Sequence, residues 1–190
     1  MPGDKESVPF RLSRRGFLRG VLIGVPAAVA LGGPGQALAA VERRTIELVN
    51  THTGESLKAD FFAGGSYDQA SLSAINHLLR DHRTGEVATI DCKLFDRLHD
   101  MAVLADREPR FEVISGYRSP LTNAMLNARS DGVARHSLHM EGRAVDVRLK
   151  GYRTDRLRDL ALSLRAGGVG FYRQSDFVHI DTGRVRTWAG

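Results

Sequence analysis

Two short segments about thirty residues apart carry histidines and carboxylates at spacings that allow them to meet in one fold. The first spans residues 137–146 (S-L-H-M-E-G-R-A-V-D) and the second spans residues 176–181 (D-F-V-H-I-D). A catalytic zinc ion needs three protein ligands of the His/Asp type and a fourth position left to water. The chain must therefore fold so that both segments reach one point, and a metal site is the chemistry that they predict.

The residues around these groups alternate as they do in β-strands. Asp146 shares a strand face with Ala144 and Arg148, and apolar residues occupy the opposite face. His179 shares a face with Asp181 in the same way, while His139 lies in a loop that leads into the strand of Asp146. A carboxylate on the less apolar face of a strand needs a partner. A metal ion is one such partner, and a salt bridge or a surface position is the alternative.

The N-terminus carries an export signal. Residues 13–18 read S-R-R-G-F-L and match the twin-arginine motif, an apolar run follows over 21–31, and Ala37-Leu38-Ala39 fits the small-x-small cleavage rule. The sequence thus predicts a twin-arginine signal peptide at 1–39, a mature domain at 40–190, the Tat export machinery as a partner during export, and a periplasmic location. An uncleaved membrane anchor is the alternative, but the apolar run falls short of the ~20 residues that a spanning helix needs.

Removal of the presequence also changes the charge of the chain. The whole chain has 27 basic and 22 acidic residues, whereas residues 40–190 have 22 and 20. A net charge of +2 gives little support to nucleic-acid binding, although it is compatible with an anionic wall polymer. We therefore expect no nucleic-acid partner, and no stable membrane anchor after signal cleavage.

Hydrophobic periodicity predicts an α+β domain with a mainly antiparallel central sheet flanked by helices. The strands do not alternate strictly with helices, which is the reason for expecting antiparallel pairing. Residues 131–140 read as a loop. The expected elements are a hairpin over 45–62, helices after Asp68 and after Asp91, helices over 120–129 and 154–165, and strands over 111–115, 144–149, 169–172, 177–181 and 184–188.

Other catalytic chemistries have weak sequence support. The chain has no G-x-S-x-G elbow, no phosphate-binding loop, no dinucleotide fingerprint and no H-E-x-x-H helix. Its single cysteine, Cys92, precludes an internal disulfide and has no matching base nearby in sequence. Metal-assisted hydrolysis remains the best supported chemistry.

The pattern S-x-H-x-x-G-x-A-x-D resembles the signature of the zinc D-Ala-D-Ala carboxypeptidase superfamily, which cuts peptidoglycan peptides and shares its fold with hedgehog domains. The order of features along the mature chain resembles the murein endopeptidase branch of this superfamily. The resemblance rests on the hairpin and on residues 79–83 (L-R-D-H-R), 115–119 (S-G-Y-R-S), 137–142 (S-L-H-M-E-G) and 177–183 (F-V-H-I-D-T-G).

The resemblance implies a role for each matching residue. His139, Asp146 and His179 correspond to the ligands of one Zn²⁺ per chain, placed on the sheet. Asp176 stands three residues before the last histidine, where the family has a general base that is often Glu. Arg118 corresponds to the arginine that reaches the active site, where it stabilises an oxyanion or holds a substrate carboxylate.

Two weaker assignments complete the site. Ser137 is expected to hydrogen-bond near the metal or the substrate, and Asp181 is expected to orient a ligand histidine. The implied substrates are peptidoglycan stem peptides, cut in cross-links with meso-diaminopimelate on one or both sides. Asp176 can also be read as a turn-forming residue, and Arg118 as a solvated one.

Three alternatives stay open at this point. The domain can be a non-catalytic zinc module that binds peptidoglycan or a protein. It can also be a zinc carboxypeptidase or dipeptidase that acts on a small substrate other than murein. Two histidines and one carboxylate also occur at non-haem iron sites.

Overall fold

The computed structural model describes residues 42–129 and 133–190 of the chain. The predicted signal peptide, with its twin-arginine motif and cleavage site, lies outside these residues. None of the helices in the described part has the length and hydrophobicity needed to cross a bilayer.

The described chain forms eight strands, four α-helices and one short 3-10 helix. The fold class is α+β, as the sequence predicts. In chain order the elements are β1 (Arg43–Asn50), β2 (Ser56–Ala63), β3 (Ser66–Tyr67), α1 (Gln69–Leu78), α2 (Lys93–Leu104), β4 (Arg110–Ser115), α3 (Pro120–Arg129), the 3-10 helix (Leu138–Glu141), β5 (Ala144–Leu149), α4 (Thr154–Ser163), β6 (Gly168–Tyr172), β7 (Phe177–Asp181) and β8 (Arg186–Ala189).

All eight strands belong to one sheet in the order β3-β2-β1-β4-β5-β7-β6-β8. The sheet is mixed, and the expectation of a mainly antiparallel sheet is therefore corrected. β1 pairs with β4 in parallel because α1 and α2 carry the chain across between them. β8 pairs with β6 in parallel because the chain passes over β6 after the β6–β7 hairpin and joins its far edge.

The hairpin and the first helix form where the sequence predicts them. The hairpin of β1 and β2 pairs Leu48 with Leu57, and α1 begins after Asp68, whose carboxylate accepts a hydrogen bond from the Ser71 amide at 2.7 Å. The second helix begins at Lys93, with Cys92 at its cap position.

One face of the sheet packs against α1, α2 and α4 and forms a single hydrophobic core. In β5 and β7 the core-facing residues alternate with polar ones, so the opposite face of the same strands carries Asp146 and His179. The core residues of these two strands are Val145, Val147, Leu149, Val178 and Ile180.

Several boundaries differ from the prediction, and the short strand β3 was not predicted. The segment read as a loop contains the 3-10 helix, which begins after Ser137. Helix α4 ends at Ser163 rather than near Arg165, which adopts a left-handed φ of 48°. The last strand lies about two residues further along the chain than expected.

Gly142 ends the 3-10 helix and packs against the segment that contains Thr89 and Asp91. Its φ is +66°, and a Cβ placed there would lie 2.1 Å from the Thr89 carbonyl oxygen. Its own carbonyl accepts a hydrogen bond from the Asp91 amide at 2.9 Å. The glycine therefore allows a close approach of two backbone segments and fixes the turn that carries His139.

This contact predicts an unequal effect of alanine at two left-handed glycines. Gly142→Ala should lower the free energy of unfolding by roughly 3 kcal/mol, because the new methyl group meets the Thr89 carbonyl in addition to the backbone strain. Gly151→Ala is the matched control, since its φ is +70° with nothing within 4 Å, and should cost about 1 kcal/mol. Urea unfolding in the presence of a chelator measures both. Equal losses of unfolding free energy in the two variants would show that the contact between residue 142 and the Thr89 carbonyl contributes nothing.

Candidate active site

The two segments singled out in the sequence meet on the face of the sheet opposite the core. His139, Asp146 and His179 are buried, and one ligand atom from each lies within 4.8 Å of the others. Asp146 in β5 and His179 in β7 are direct partners across adjacent antiparallel strands. The 3-10 helix brings His139 to the same point. We call these three residues the His-Asp-His cluster.

The ring of His139 is oriented by the backbone. Its Nδ1 lies 2.7 Å from the Gly116 carbonyl oxygen, which can only accept a hydrogen bond, so Nδ1 carries the proton. Its Nε2 then presents a lone pair 3.2 Å from Nδ1 of His179 and 3.3 Å from Oδ1 of Asp146.

His179 is oriented by a carboxylate. Its Nε2 lies 3.2 Å from Oδ2 of Asp181, and its Nδ1 lies 2.8 Å from Oδ1 of Asp146. Asp181 is fully buried and also accepts hydrogen bonds from both terminal nitrogens of Arg186 and from the Gly168 amide. These contacts hold the His179 ring between the carboxylates of Asp146 and Asp181.

Burial and neighbouring charges shift the acidities of these groups. Burial lowers the pKa of His139. Burial alone would raise the pKa of Asp146, but His139 and His179 outweigh it and lower that pKa. Burial opposes the protonation of His179, yet hydrogen bonds to Asp146 and Asp181 raise its pKa to about 9. The cluster thus holds ionised carboxylates and favours a bound cation.

The donor set fits a metal ion. With the outer nitrogens of His139 and His179 hydrogen-bonded to Gly116 and Asp181, their inner nitrogens and Oδ1 of Asp146 face one another at 2.8, 3.2 and 3.3 Å. Bonds of about 2.0–2.1 Å to a tetrahedral zinc ion separate neighbouring ligand atoms by about 3.3 Å. Hydrogen bonds to the outer nitrogens are also typical of metal-binding histidines.

Arg118 lies beside the cluster. One terminal nitrogen is 3.9 Å from Oδ2 of Asp146 and 3.3 Å from Oγ of Ser115, and only 13% of the side chain is exposed. Burial lowers the pKa of its guanidinium, and Asp146 opposes that shift. Arg118 is therefore a largely buried cation beside the cluster rather than a solvated surface residue.

The segment L-R-D-H-R positions Arg118, a role that the sequence did not reveal. The Leu79 carbonyl accepts a hydrogen bond from the Tyr117 amide at 2.7 Å. Buried Asp81 accepts hydrogen bonds from the amides of Ser119 and Arg83, each at 2.9 Å. The Leu79 carbonyl and the Asp81 carboxylate thus hold the two residues on either side of Arg118. The only signal in the sequence was the match of this segment to the family pattern.

A cavity of about 380 Å³ opens over the cluster. Ser137 borders it, and its hydroxyl accepts a hydrogen bond from the His139 amide at 3.4 Å. The lining residues are Arg118, Val133, Ala134, His136, Ser137, Leu138, His139, Asp146, Tyr172, Phe177, His179, Arg186 and Trp188.

The structure does not bring Asp176 to the cluster. Its side chain is 65% exposed, and its carboxylate accepts a hydrogen bond from Thr154 and lies 3.7 Å from Arg148. It borders a neighbouring cavity together with Tyr152 and Arg153. A left-handed φ of 51° places Asp176 in the turn before β7, which is the turn-forming role considered for it in the sequence.

The chain is similar to known proteins over most of its length. The family model described as Peptidoglycan L,D-endopeptidase MepK matches residues 38–188. Peptidoglycan L,D-endopeptidase MepK of Escherichia coli strain K12 is 45% identical over 182 residues, which cover 94% of this chain and 98% of the relative. Probable peptidoglycan L,D-endopeptidase MepK of Haemophilus influenzae is 39% identical over 177 residues, or 91% and 92%. No solved structure matches significantly.

The contacts of Asp81 predict its contribution to stability. Asp81→Asn should lower the free energy of unfolding at pH 7 by roughly 2–4 kcal/mol, because an amide presents one acceptor oxygen to two backbone donors. Asp68→Asn is the control and should cost less than about 0.5 kcal/mol, because both residues cap helices well.

The pH dependence provides a second readout. Hydrogen bonds from Thr122 and Ser119 outweigh the effect of burial and lower the pKa of Asp81. The contribution of its carboxylate is therefore complete above the ordinary pKa near 4 and decreases as the pH falls below it. Urea unfolding between pH 7 and pH 3 should show the difference between wild type and Asp81→Asn decreasing. A constant difference would show that its charge is not responsible.

Proposed function

The chain belongs to the peptidoglycan L,D-endopeptidase MepK family, and on this premise we propose that it is a zinc-dependent murein endopeptidase of the periplasm. It hydrolyses peptide cross-links of peptidoglycan with a metal-activated water. The observation that carries the proposal is the convergence of His139 Nε2, Asp146 Oδ1 and His179 Nδ1 beside Arg118 in one cavity.

Zinc is the metal that suits these donors best. Two imidazoles and one carboxylate form a three-ligand set that leaves a position for water, as in catalytic zinc sites. The short separations between the donor atoms fit a small tetrahedral ion. Non-haem iron uses the same types of ligand, so the metal is part of the proposal.

The residues of the chain prepare the site for hydrolysis. When bound there, zinc lowers the pKa of a coordinated water to about 7 and polarises the scissile carbonyl. Gly116 and Asp181 hold the two ligand histidines in the required tautomers. Arg118 offers a guanidinium to the carbonyl oxygen that gains negative charge, or to a carboxylate of the substrate. Ser137 supplies a hydroxyl at the cavity wall.

One group must accept the proton that the attacking water loses. The D-x-x-H spacing predicts Asp176, and this role stays a prediction. The described contacts hold its carboxylate at Thr154 and Arg148. A general base must lie within hydrogen-bond reach of the proton that it accepts, directly or through one water, although apo geometry alone does not exclude a candidate.

Export belongs to the same proposal. The substrate lies in the cell wall, and the predicted twin-arginine signal would deliver the domain to it already folded. Peptidoglycan stem peptides are the proposed partners of the mature protein.

The ligand assignment predicts the metal content. Purified protein should bind one zinc ion per chain, and His139→Ala, Asp146→Ala and His179→Ala should each lower zinc affinity at least about 100-fold, because each removes one of three ligands. His77→Ala, an exposed histidine on α1, is the control and should bind zinc normally. Elemental analysis after dialysis and competition with a chromogenic chelator measure both quantities. Normal binding by all three variants would contradict the assignment.

Digestion of isolated cross-linked sacculi tests the activity. Wild-type protein should release muropeptides with loss of cross-linked dimers, chelation should stop this loss, and added zinc should restore it. Mass analysis of the products identifies the bond that is cut. Intact dimers after incubation with folded, zinc-loaded protein would contradict the proposed function.

Asp176→Asn in the same assay decides the role of that residue. From the contacts of its carboxylate we expect turnover within about fivefold of wild type, because the side chain is held away from the cluster. A loss of 100-fold or more with zinc still bound would establish Asp176 as the general base predicted by the sequence.

A further inference from the structure

One row of residues runs across the sheet through the cluster to its edge. Asp146 pairs with His179, His179 pairs with Gly170, and Gly170 pairs with Trp188 of the edge strand β8. A Cβ on Gly170 would lie 2.6 Å from Cε2 of Trp188. The indole therefore occupies the space over this glycine, and its ring centroid lies 5.1 Å from that of His179.

Trp188 is one member of a continuous aromatic surface. Its Nε1–H donates to the Tyr172 hydroxyl at 3.0 Å, and the Tyr172 ring stacks on Phe177 with centroids 4.5 Å apart. All three residues border the cavity over the cluster. We call Tyr172, Phe177 and Trp188 the aromatic wall.

The aromatic wall and Arg118 lie on opposite sides of the cluster. Arg118 follows β4, which flanks β5 on one side, whereas β6 and β8 extend the sheet beyond β7 on the other. A substrate whose scissile bond lies over the cluster therefore meets a guanidinium on one side and aromatic rings on the other.

The chemistry of the wall indicates what it can accept. The indole N–H is already used by Tyr172, and the Arg186 guanidinium lies 4.9 Å from the Trp188 ring centroid. That guanidinium forms two hydrogen bonds with buried Asp181, so its charge is balanced. Such a surface offers apolar contact to C–H groups.

We propose that the aromatic wall is a substrate subsite that binds an aliphatic C–H face on the side of the cluster opposite Arg118. The identity of the substrate rests on the proposed function. Within murein, the C–H face comes from the apolar side of an amino-sugar ring or from an aliphatic portion of a stem peptide. Trp188 is the central substrate-binding residue of this subsite, and Gly170 provides the space that it needs.

Kinetics on a soluble cross-linked muropeptide test this role with the zinc-loaded protein. Trp188→Leu should raise KM about tenfold and change kcat less than about twofold, because it removes apolar contact and leaves the ligands in place. Gly170→Ala should raise KM similarly by displacing the indole. Phe62→Leu is the matched control, since Phe62 belongs to an aromatic pair on β2 far along the sheet, and its KM should stay at the wild-type value.

Binding can be measured without turnover, because Trp188 is the single tryptophan of the chain. Titration of wild-type protein with uncross-linked muropeptide should give a saturable change in tryptophan fluorescence. A sugar-free stem peptide in a parallel titration distinguishes the two sources of the C–H face. A fluorescence change with the peptide alone assigns the C–H face to the stem peptide. A change with the muropeptide alone assigns it to the amino-sugar ring. Gly170→Ala should shift the emission of the free protein to longer wavelength as the indole becomes more exposed.

The outcomes separate this inference from the proposed function. An unchanged KM in Trp188→Leu, or a fall in kcat alone, would overturn the subsite while wild-type cleavage of sacculi leaves the function intact. Absence of cleavage together with a saturable fluorescence change would overturn the function and support the subsite. Absence of any fluorescence change with both ligands would overturn the subsite.

Discussion

The mutual proximity of three electron-pair donors is the constraint on which the rest of the structure depends. His139 Nε2, Asp146 Oδ1 and His179 Nδ1 lie 2.8–3.3 Å apart in a buried site, where the charge of Asp146 needs a shared proton or a bound cation to balance it. Each histidine is prevented from turning away by a hydrogen bond on its outer nitrogen. The fold therefore holds the cluster in an arrangement that could bind a metal ion, on the face of the sheet opposite the hydrophobic core.

The mixed sheet explains how segments distant in sequence reach one point. β5 and β7 lie next to each other although α4 and β6 separate them along the chain, and their antiparallel register sets Asp146 opposite His179. β4, which pairs in parallel with β1 after the helical crossover, sets Ser115 opposite Asp146 on the other side. Gly116 and Arg118 follow β4 directly and so reach the cluster. Because the ligand strands are internal, both have neighbours on each side, and the ligand positions are supported by continuous backbone pairing.

Local sequence signals predicted the elements and the candidate ligands, because they depend on properties that adjacent residues share. The bounds of β7 and the opposite faces of Asp146 and Val147 follow directly from alternation. The parallel pairings do not, because strand order depends on how distant segments pack. The role of Asp81 was missed for the same reason, since its carboxylate accepts a hydrogen bond from the Ser119 amide, 38 residues away. The contacts of Asp176 could not be predicted either, because the spacing D-x-x-H fixes the position of a residue, whereas the direction of its side chain depends on the left-handed turn.

The absence of side chains along one side of β6 has a consequence for how this fold can diversify. Gly168 and Gly170 leave a bare strip beside His179, and the strip is filled by Arg186 and Trp188 reaching over from the neighbouring edge strand. The candidate ligands Asp146 and His179 thus lie on internal strands, whereas Trp188, the central residue of the proposed subsite, lies on an edge strand with one neighbour. Substitutions in β8 can therefore change the surface beside the cluster while Asp146 and His179 keep their places in the internal strands.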